Sequence, residues 1–287
     1  MCRFLDHSKN HFFILTQTLL LLTRYFFHIA YSGSNYRGYQ RQPDVLSVQE
    51  VLETQLAIVL KVPSVTIIGC GRTDAGVHAS QFFFHTDLEE PLRDNLKFIL
   101  NKTLPPAISI FDIIPTAHNL HARFDAQERT YDYFIHLDKD PFIDQMSSLY
   151  VDKVLDLALM KKAVALLPQY NDYAGFCKQP DLHNTTICRV SKATLFQTKN
   201  KRKLRFQIVA NRFLRGQIRI LVQKLLEIGL DKFSLEEFEA CLIHKKRPAL
   251  IPPAHPQGLF LSKVCYPGLE LPNKATFTLL EEAWEEV

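Results

Sequence analysis

The sequence lacks paired cysteines. None of its six cysteines stands in a Cys-x-x-Cys pair. Structural zinc sites need ligands at short, paired spacings, and disulfide frameworks are typical of small secreted domains rather than of a chain of 287 residues. We therefore expect no metal, reduced thiols and a cytoplasmic location. The cysteines are Cys2, Cys70, Cys177, Cys188, Cys241 and Cys265.

The N-terminus also lacks a hydrophobic run of membrane-spanning length. Residues 12–22 are apolar but are interrupted by Thr16, Gln17 and Thr18. The segment is about half as long as the ~20 residues that a transmembrane helix requires. Asp6 precedes it and no small-residue cleavage pattern follows, which disfavours a signal peptide. We interpret residues 1–23 as an N-terminal extension and expect no membrane association.

No low-complexity tract or Pro/Gly/Ser-rich linker divides the chain. Hydrophobic residues make up 47% and charged residues 22%, so the chain can bury a core of ordinary size. The formal net charge of +4 is compatible with a phosphate-bearing partner without requiring one. We place a boundary between residues 118 and 128, which gives an N-terminal half over residues 24–122 and a C-terminal half over residues 123–287.

Apolar periodicity predicts strands and helices in mixed order. Because they do not form a regular βαβα series, we expect an α+β fold with a mostly antiparallel sheet flanked by helices. Two Ser-x-x-Glu patterns, Ser47 with Glu50 and Ser234 with Glu237, predict helix starts. Strands are predicted at 24–31, 65–70, 81–85, 108–114, 130–137, 204–210 and 258–264, and further helices at 91–101, 154–167 and 214–225.

The string Gly71-Arg72-Thr73-Asp74-Ala75-Gly76-Val77-His78 is the first candidate for chemistry. Its glycines permit a positive φ or the close approach of another backbone. The residues alone allow a structural turn, in which Asp74 accepts backbone N–H groups and pairs with Arg72, as readily as an active site. A metal site at Asp74 and His78 is a weaker alternative, because no third ligand stands at a telling distance.

Further strings accompany this loop in a fixed order from about residue 24 to about residue 267. Together with the loop they resemble the motifs of the TruA-type tRNA pseudouridine synthase family, and several ordered motifs are more specific than one. The strings are Tyr31-Ser32-Gly33-Ser34-Asn35-Tyr36-Arg37-Gly38-Tyr39-Gln40-Arg41-Gln42, Ser47-Val48-Gln49-Glu50, His85, Leu120-His121-Ala122-Arg123-Phe124-Asp125-Ala126, Arg129-Thr130-Tyr131-Asp132-Tyr133, Asn211-Arg212-Phe213-Leu214, Gln217-Ile218-Arg219 and Gly258-Leu259-Phe260-Leu261.

Three departures from the family pattern lie outside the Asp74 loop. Tyr39 stands where the family usually has Trp, which preserves an aromatic ring. Gln217 and Ile218 replace a common Met-Val pair, and Gln223 occupies a position often held by Gly. These changes bear on substrate choice and on the packing near Arg219.

The resemblance implies a pseudouridine-synthase fold of two similar halves with the active-site cleft between them. It also implies a reaction in which a uridine of tRNA is detached from its ribose at N1, rotated and rejoined through C5. No cofactor is needed. The implied targets are positions 38–40 of the anticodon stem-loop, and the implied assembly is a homodimer.

The resemblance assigns roles to five residues. Asp74 is the nucleophile, although its atom of attack (C1′, the uracil ring or the 2′ proton) stays open. Arg219 is its partner and stabilises the ionised carboxylate, with a phosphate contact as the alternative. Tyr131 stacks on the target base and Leu261 forms an apolar wall, whereas each could instead be an ordinary core residue. Arg72 fills the gap that a flipped uridine leaves in the RNA stack.

The sequence contains two runs of basic residues, and two functions other than pseudouridine synthesis are considered. The basic residues are either solvated surface or phosphate contacts. A non-catalytic RNA-binding module is a rival, but its RNP-type strand is not found in the sequence. A metal-dependent hydrolase is the other rival. The basic runs comprise Lys199, Lys201, Arg202, Lys203 and Arg205, and Lys245-Lys246-Arg247.

Overall fold

The structure, a computed structural model, describes residues 22–89, 92–117, 119–150, 154–248, 252–269 and 282–287. The interpretation of the N-terminal extension lies outside these ranges, except that residues 22 and 23 begin the first strand. The strands are β1 (Leu22–Tyr31), β2 (Ile68–Gly69), β3 (His78–Glu89), β4 (Ile108–Thr116), β5 (Glu128–His136), β6 (Ser148–Leu149), β7 (Val190–Thr198), β8 (Lys203–Ala210), β9 (Leu259–Cys265) and β10 (Trp284–Glu286), and the helices are α1 (Val48–Leu60), α2 (Leu96–Thr103), α3 (Leu157–Leu166), α4 (Gln217–Gly229) and α5 (Leu235–His244).

One sheet contains all of these strands, in the order β10-β7-β8-β5-β9-β3-β1-β4, with β2 beside β3 and β6 beside β5. The pairs are antiparallel apart from β3 with β9 and β5 with β6. The predicted α+β class with a mostly antiparallel sheet is therefore confirmed. Strands from the N-terminal half lie on one side of the β3–β9 pair and strands from the C-terminal half lie on the other.

The centre of the sheet is covered on both faces, which explains its run of consecutive apolar residues. In β1 five residues in a row are buried, and in β3 Phe82, Phe83 and Phe84 are all buried. Alternate side chains of a strand point to opposite faces, so burial of neighbouring residues requires cover on each side. Phe27 of β1 stacks on Phe84 of β3 with 4.6 Å between the ring centroids.

Local hydrogen bonds begin two of the helices where the sequence predicts. The hydroxyl of Ser47 accepts from the backbone N–H of Glu50 at the start of α1. At α5, Ser234 and Glu237 form a complete capping box, each side chain accepting from the backbone N–H of the other residue. Such caps involve residues three apart, which is why they can be recognised from the sequence.

Several predicted boundaries are wrong. Residues 65–70 pair with β3 only at Ile68 and Gly69, because the apolar pattern there reflects burial of Val65 and Ile67 rather than strand pairing. Helix α2 begins at Leu96, later than predicted. Strand β7 was not predicted; its burial pattern does not alternate regularly between its two faces.

Candidate active site

Three adjacent strands bring the predicted site residues together. Leu261 of β9 pairs with Ala79 of β3 on one side and with Tyr131 of β5 on the other. The Asp74 loop leads directly into β3. The negative charge of Asp74 contributes to the raised pKa of Tyr131, which places the two side chains within electrostatic range. The site therefore lies where the two halves of the sheet join.

The Asp74 loop is a tight turn whose carboxylate stays accessible. The backbone carbonyl of Asp74 accepts from the N–H of Val77 at 3.2 Å, and Gly76 has a φ of +76°. A positive φ at the third residue of such a turn is accessible to glycine at little cost. The Asp74 side chain is 33% exposed. The backbone thus forms a turn through the Asp74 carbonyl, and the Asp74 carboxylate remains available for chemistry.

The loop rests on the segment that follows β1. A Cβ added to Gly33 would lie 2.0 Å from the carbonyl oxygen of Val77, and one added to Gly38 would lie 2.7 Å from that of Thr73. The hydroxyls of Tyr31 and Thr73 share a hydrogen bond of 2.9 Å. Because the two backbones touch, this segment needs glycine at both positions, which accounts physically for these features of its motif.

Arg219 is the cationic partner of Asp74. Its Nη1 lies 3.6 Å from Oδ2 of Asp74, while its Nε donates to the carbonyl oxygen of Ala254 at 2.6 Å. The longer distance is an ion-pair contact rather than a hydrogen bond. The structure thus places Arg219 at ion-pair distance from Asp74, as predicted. Among the described residues, the ion pairs of the chain join Asp74 to Arg219 and not to Arg72.

The residues that begin α4 position Arg219 in its first turn. Gly216 precedes the helix with a φ of +72°, and Gln217 accepts from the N–H of Leu214 at 2.8 Å through its buried side chain. Gln217, a departure from the family pattern, therefore ties the start of α4 to the segment before it. Gln223, the other glutamine that departs from the pattern, donates to Glu227 within the helix at 3.1 Å.

Tyr131 is buried beside an irregularity of the sheet. In the β5–β9 pairing Thr130 faces Lys263 and Tyr131 faces Leu261, so Ser262 is an extra residue. Such bulges redirect neighbouring side chains. The ring of Tyr131 meets that of Phe213 edge to face, with 5.0 Å between centroids. Burial raises the pKa of the Tyr131 hydroxyl well above its usual range, so the phenol is protonated at neutral pH.

Arg129 has a role at the site that the sequence reading missed. Its guanidinium donates to four backbone carbonyls: those of Ala126 and Asn211 from Nη1, and those of Cys70 and Arg123 from Nη2, over distances of 2.7–3.1 Å. Cys70 is the residue before the Asp74 loop. Alternation along β5 places Arg129 on the same face as Tyr131, and this was the signal available in the sequence.

Four arginines form a positive cluster beside this loop. Burial, followed by the charges of Arg72, Arg129 and Arg212, lowers the pKa of Arg123. Within the described ranges none of the four has a carboxylate within 4.0 Å. Arg72 is exposed. Uncompensated positive charge of this kind suits a polyanionic partner.

The predicted basic runs differ from this cluster because most of their charges are paired. Within the first run, Lys203 lies 2.6 Å from Glu282, Arg205 lies 2.6 Å from Asp132 and Arg202 lies 3.2 Å from Asp138. Lys199 lies 4.0 Å from Glu285, and in the second run Lys245 lies 2.9 Å from Asp172. This pairing disfavours the interpretation of the paired residues as phosphate contacts, and the Arg205–Asp132 pair is largely buried rather than solvated.

The described residues offer neither a metal-binding cluster nor a membrane-spanning helix. Within the part of the chain that the structure describes, no group of three or more His, Cys, Asp or Glu side chains is placed to hold a metal ion. The Nδ1 atom of His78 accepts from the backbone N–H of Gly33, so that nitrogen is already engaged. None of the described helices is long and apolar enough to cross a membrane.

Comparison with known proteins agrees with this geometry. A family model described as tRNA pseudouridine synthase matches residues 170–267. The tRNA pseudouridine synthase A of Azobacteroides pseudotrichonymphae is 40% identical over 86% of this chain and 98% of its own. The corresponding proteins of Porphyromonas gingivalis and Streptococcus gordonii are 36% and 32% identical, over 86% and 85% of this chain and 98% and 99% of theirs. The chain therefore belongs to the TruA-type tRNA pseudouridine synthase family, and it is an isomerase with the pseudouridine-synthase fold.

Proposed function

We propose that this enzyme converts uridine to pseudouridine at positions 38–40 in the anticodon stem-loop of tRNA. The observation that carries the proposal is the contact of 3.6 Å between Arg219 and Asp74 beside the buried Tyr131. A carboxylate held by a cation on a turn, next to a protonated phenol, is suited to reaction at a glycosidic carbon. The positions in tRNA rest on the family resemblance.

In this proposal Asp74 is the nucleophile. The bond between C1′ and N1 breaks, the uracil rotates while bound, and a bond forms between C1′ and C5. N1 gains a proton and C5 loses one, so the balanced reaction needs no oxidant, reductant or cofactor. Arg219 orients the Asp74 carboxylate. Leaving uracil carries negative charge, which nearby hydrogen-bond donors stabilise.

The remaining roles concern the target base and the strand around it. Tyr131 stacks on the base, and its protonated hydroxyl is a candidate for the proton transfer at C5. Leu261, whose side chain is buried, forms an apolar wall beneath the base. Arg72 is exposed within the arginine cluster, and its planar guanidinium fills the gap left by the flipped uridine.

The proposal extends to the assembly and to the place of action. A homodimer, in which one tRNA contacts both subunits, rests on the resemblance and is checked by light scattering with and without tRNA. A cytoplasmic location accords with the free thiols of the described cysteines.

The substitution Asp74→Asn tests whether Asp74 is the nucleophile, because it removes the charge of the side chain and keeps its shape. Release of tritium from tRNA containing 5-tritiated uridine should fall at least ~1000-fold, whereas tRNA binding should stay within about threefold. Asp94→Asn, at an exposed position, is the matched control and should retain activity. Undiminished tritium release by the Asp74 variant would exclude it as the nucleophile. Equal binding without isomerisation by either protein would favour the RNA-binding module.

Mapping of modified uridines tests the proposed positions. In tRNA from cells that lack this protein, pseudouridine should be missing at positions 38–40 and unchanged elsewhere. Its persistence there, with loss at another site, would preserve the reaction and refute the proposed positions.

A further inference from the structure

Phe124 is a large aromatic side chain that is 75% exposed, in a segment that Arg129 links to the residue before the Asp74 loop. We propose that it is a stacking platform for an unpaired nucleobase of the RNA substrate, a base that neighbours the target uridine. The proposal rests on the proposed function for the identity of the substrate. Aromatic side chains that bind single-stranded RNA present an open ring face in this way.

The ring of Phe124 is held in place from behind. It stacks on the ring of His121 with 4.3 Å between centroids. The Nδ1 atom of His121 accepts from the backbone N–H groups of Arg123 and Phe124 at 3.1 and 3.3 Å. The carboxylate of Asp125 accepts from the N–H of His121 at 2.6 Å, and His121 in turn meets His85 edge to face. A ring fixed before binding loses little conformational entropy on contact.

The platform is attached to the Asp74 loop through Arg129. The Nη2 atom of Arg129 donates to the carbonyl oxygen of Arg123 at 2.7 Å and to that of Cys70 at 2.9 Å. Arg123 precedes Phe124, and Cys70 precedes the Asp74 loop. One guanidinium nitrogen therefore joins the two segments, which places the backbone that precedes Phe124 close to the start of the Asp74 loop.

The charge around Phe124 identifies the class of ligand. The Arg123 guanidinium lies over the Phe124 ring at 5.8 Å from its centre, a cation–π distance, and the Phe124 side chain is nevertheless 75% exposed. Arg123 belongs to the cluster with Arg72, Arg129 and Arg212. A ring face beside several unpaired cations matches a nucleotide, whose base is planar and whose phosphate is anionic. A second copy of the chain would also cover an exposed ring, and this alternative is an outcome of the test.

Phe98 provides a matched control. Its side chain is 63% exposed, and Lys102 lies 5.6 Å from the centre of its ring. It shares with Phe124 both exposure and a nearby cation, but it lies on α2, away from the arginine cluster. If the Phe124 ring contacts RNA, replacement of Phe124 should therefore weaken RNA binding and replacement of Phe98 should not.

Binding is measured with an unmodified tRNA transcript on the full-length Asp74→Asn protein, so that the result does not depend on catalysis. Phe124→Ala should weaken binding about tenfold and Phe124→Trp should restore it, whereas Phe98→Ala should change it less than twofold. Transcripts are also made with the fluorescent base 2-aminopurine at each unpaired stem-loop position in turn. At one position the protein with Phe124 should quench the fluorescence and the Phe124→Ala protein should not. The melting temperature of Phe124→Ala should remain unchanged, since an exposed ring contributes little to folding.

The proposal would be overturned if the Phe124→Ala protein bound tRNA as tightly as the protein that retains Phe124. It would also be overturned if Phe124→Ala left the 2-aminopurine quenching unchanged at every position. Dissociation of a dimer by Phe124→Ala in the absence of RNA would overturn it too and would assign the ring to a second copy of the chain. Weaker binding by Phe124→Ala, together with no isomerisation by the protein that retains Asp74, would support the platform and refute the proposed function.

Discussion

The Arg219 guanidinium is shared between two oxygens that have different roles: it is hydrogen-bonded to the carbonyl of Ala254 and lies 3.6 Å from the carboxylate of Asp74. The backbone N–H of Ala254 donates back to the carbonyl of Arg219 at 3.0 Å. The bond through Nε fixes the plane of the guanidinium, so Nη1 points at Asp74 without contracting to a full hydrogen bond. The carboxylate is therefore oriented while a lone pair remains available for reaction.

Replacing Arg219 should reduce turnover more than binding. Arg219→Met removes the charge beside Asp74, and kcat for tritium release should fall about 100-fold, with KM changed less than threefold. Arg219→Lys keeps the charge but loses the planar fork, so an intermediate loss of roughly tenfold is expected. Arg93→Met, at an exposed position, is the control. A tenfold rise in KM with unchanged kcat would instead make Arg219 a phosphate contact.

Replacing Arg129 should disturb the Asp74 loop although Arg129 does not touch Asp74. A lysine ammonium cannot span the four carbonyls that Arg129 binds, so Arg129→Lys should lower kcat roughly tenfold and the free energy of unfolding by about 2 kcal/mol. Activity is measured well below the melting temperature so that only folded protein contributes. Arg202→Lys is the control. Wild-type kcat in a destabilised Arg129 variant would limit its role to folding.

Replacing Gly76 should strain the Asp74 turn. In Gly76→Ala the positive φ is unfavourable, and the added Cβ would lie 3.0 Å from Pro256. We expect a loss of about 1 kcal/mol of stability and a fall in kcat. Gly268→Ala separates the two effects: it has a φ of +70° and its Cβ meets no described atom within 4 Å. That variant should lose similar stability and keep full activity. Full activity of Gly76→Ala would show that the turn tolerates displacement.

Mild acid should destabilise the protein through His78. Burial lowers the pKa of His78 to about 4 from the usual 6.5. Between these values the unfolded chain binds a proton that the folded chain excludes, so stability falls as pH decreases from about 6.5 to about 4. The contribution is about 3 kcal/mol. Urea unfolding of His78→Asn should show a weaker pH dependence across this interval than that of the unsubstituted protein. An unchanged dependence would assign the acid sensitivity to other groups, among them His85, whose pKa burial also lowers to about 4.

The predictable parts of this protein rest on short-range patterns. The α+β class followed from the order of apolar segments, and the starts of α1 and α5 followed from side chains that cap N–H groups three residues away. The Asp74 loop was recognisable as a candidate site because its motif and the motifs around it resemble those of the family, whereas its residues alone allowed a structural turn. Boundaries such as those of β2 and α2 were less predictable, since burial and strand pairing leave similar traces in a sequence.

By itself the sequence determined the fold class, the capped helices and the candidate loop around Asp74, because each depends on residues close together in the chain. The family resemblance implied the pairing of Arg219 with Asp74, and only the tertiary structure decided that β9 lies between β3 and β5 and that Arg129 joins three separate segments. The physical reason is that these contacts are made between distant parts of the chain. They depend on how the whole sheet pairs and packs, and no local pattern of side chains specifies such partners.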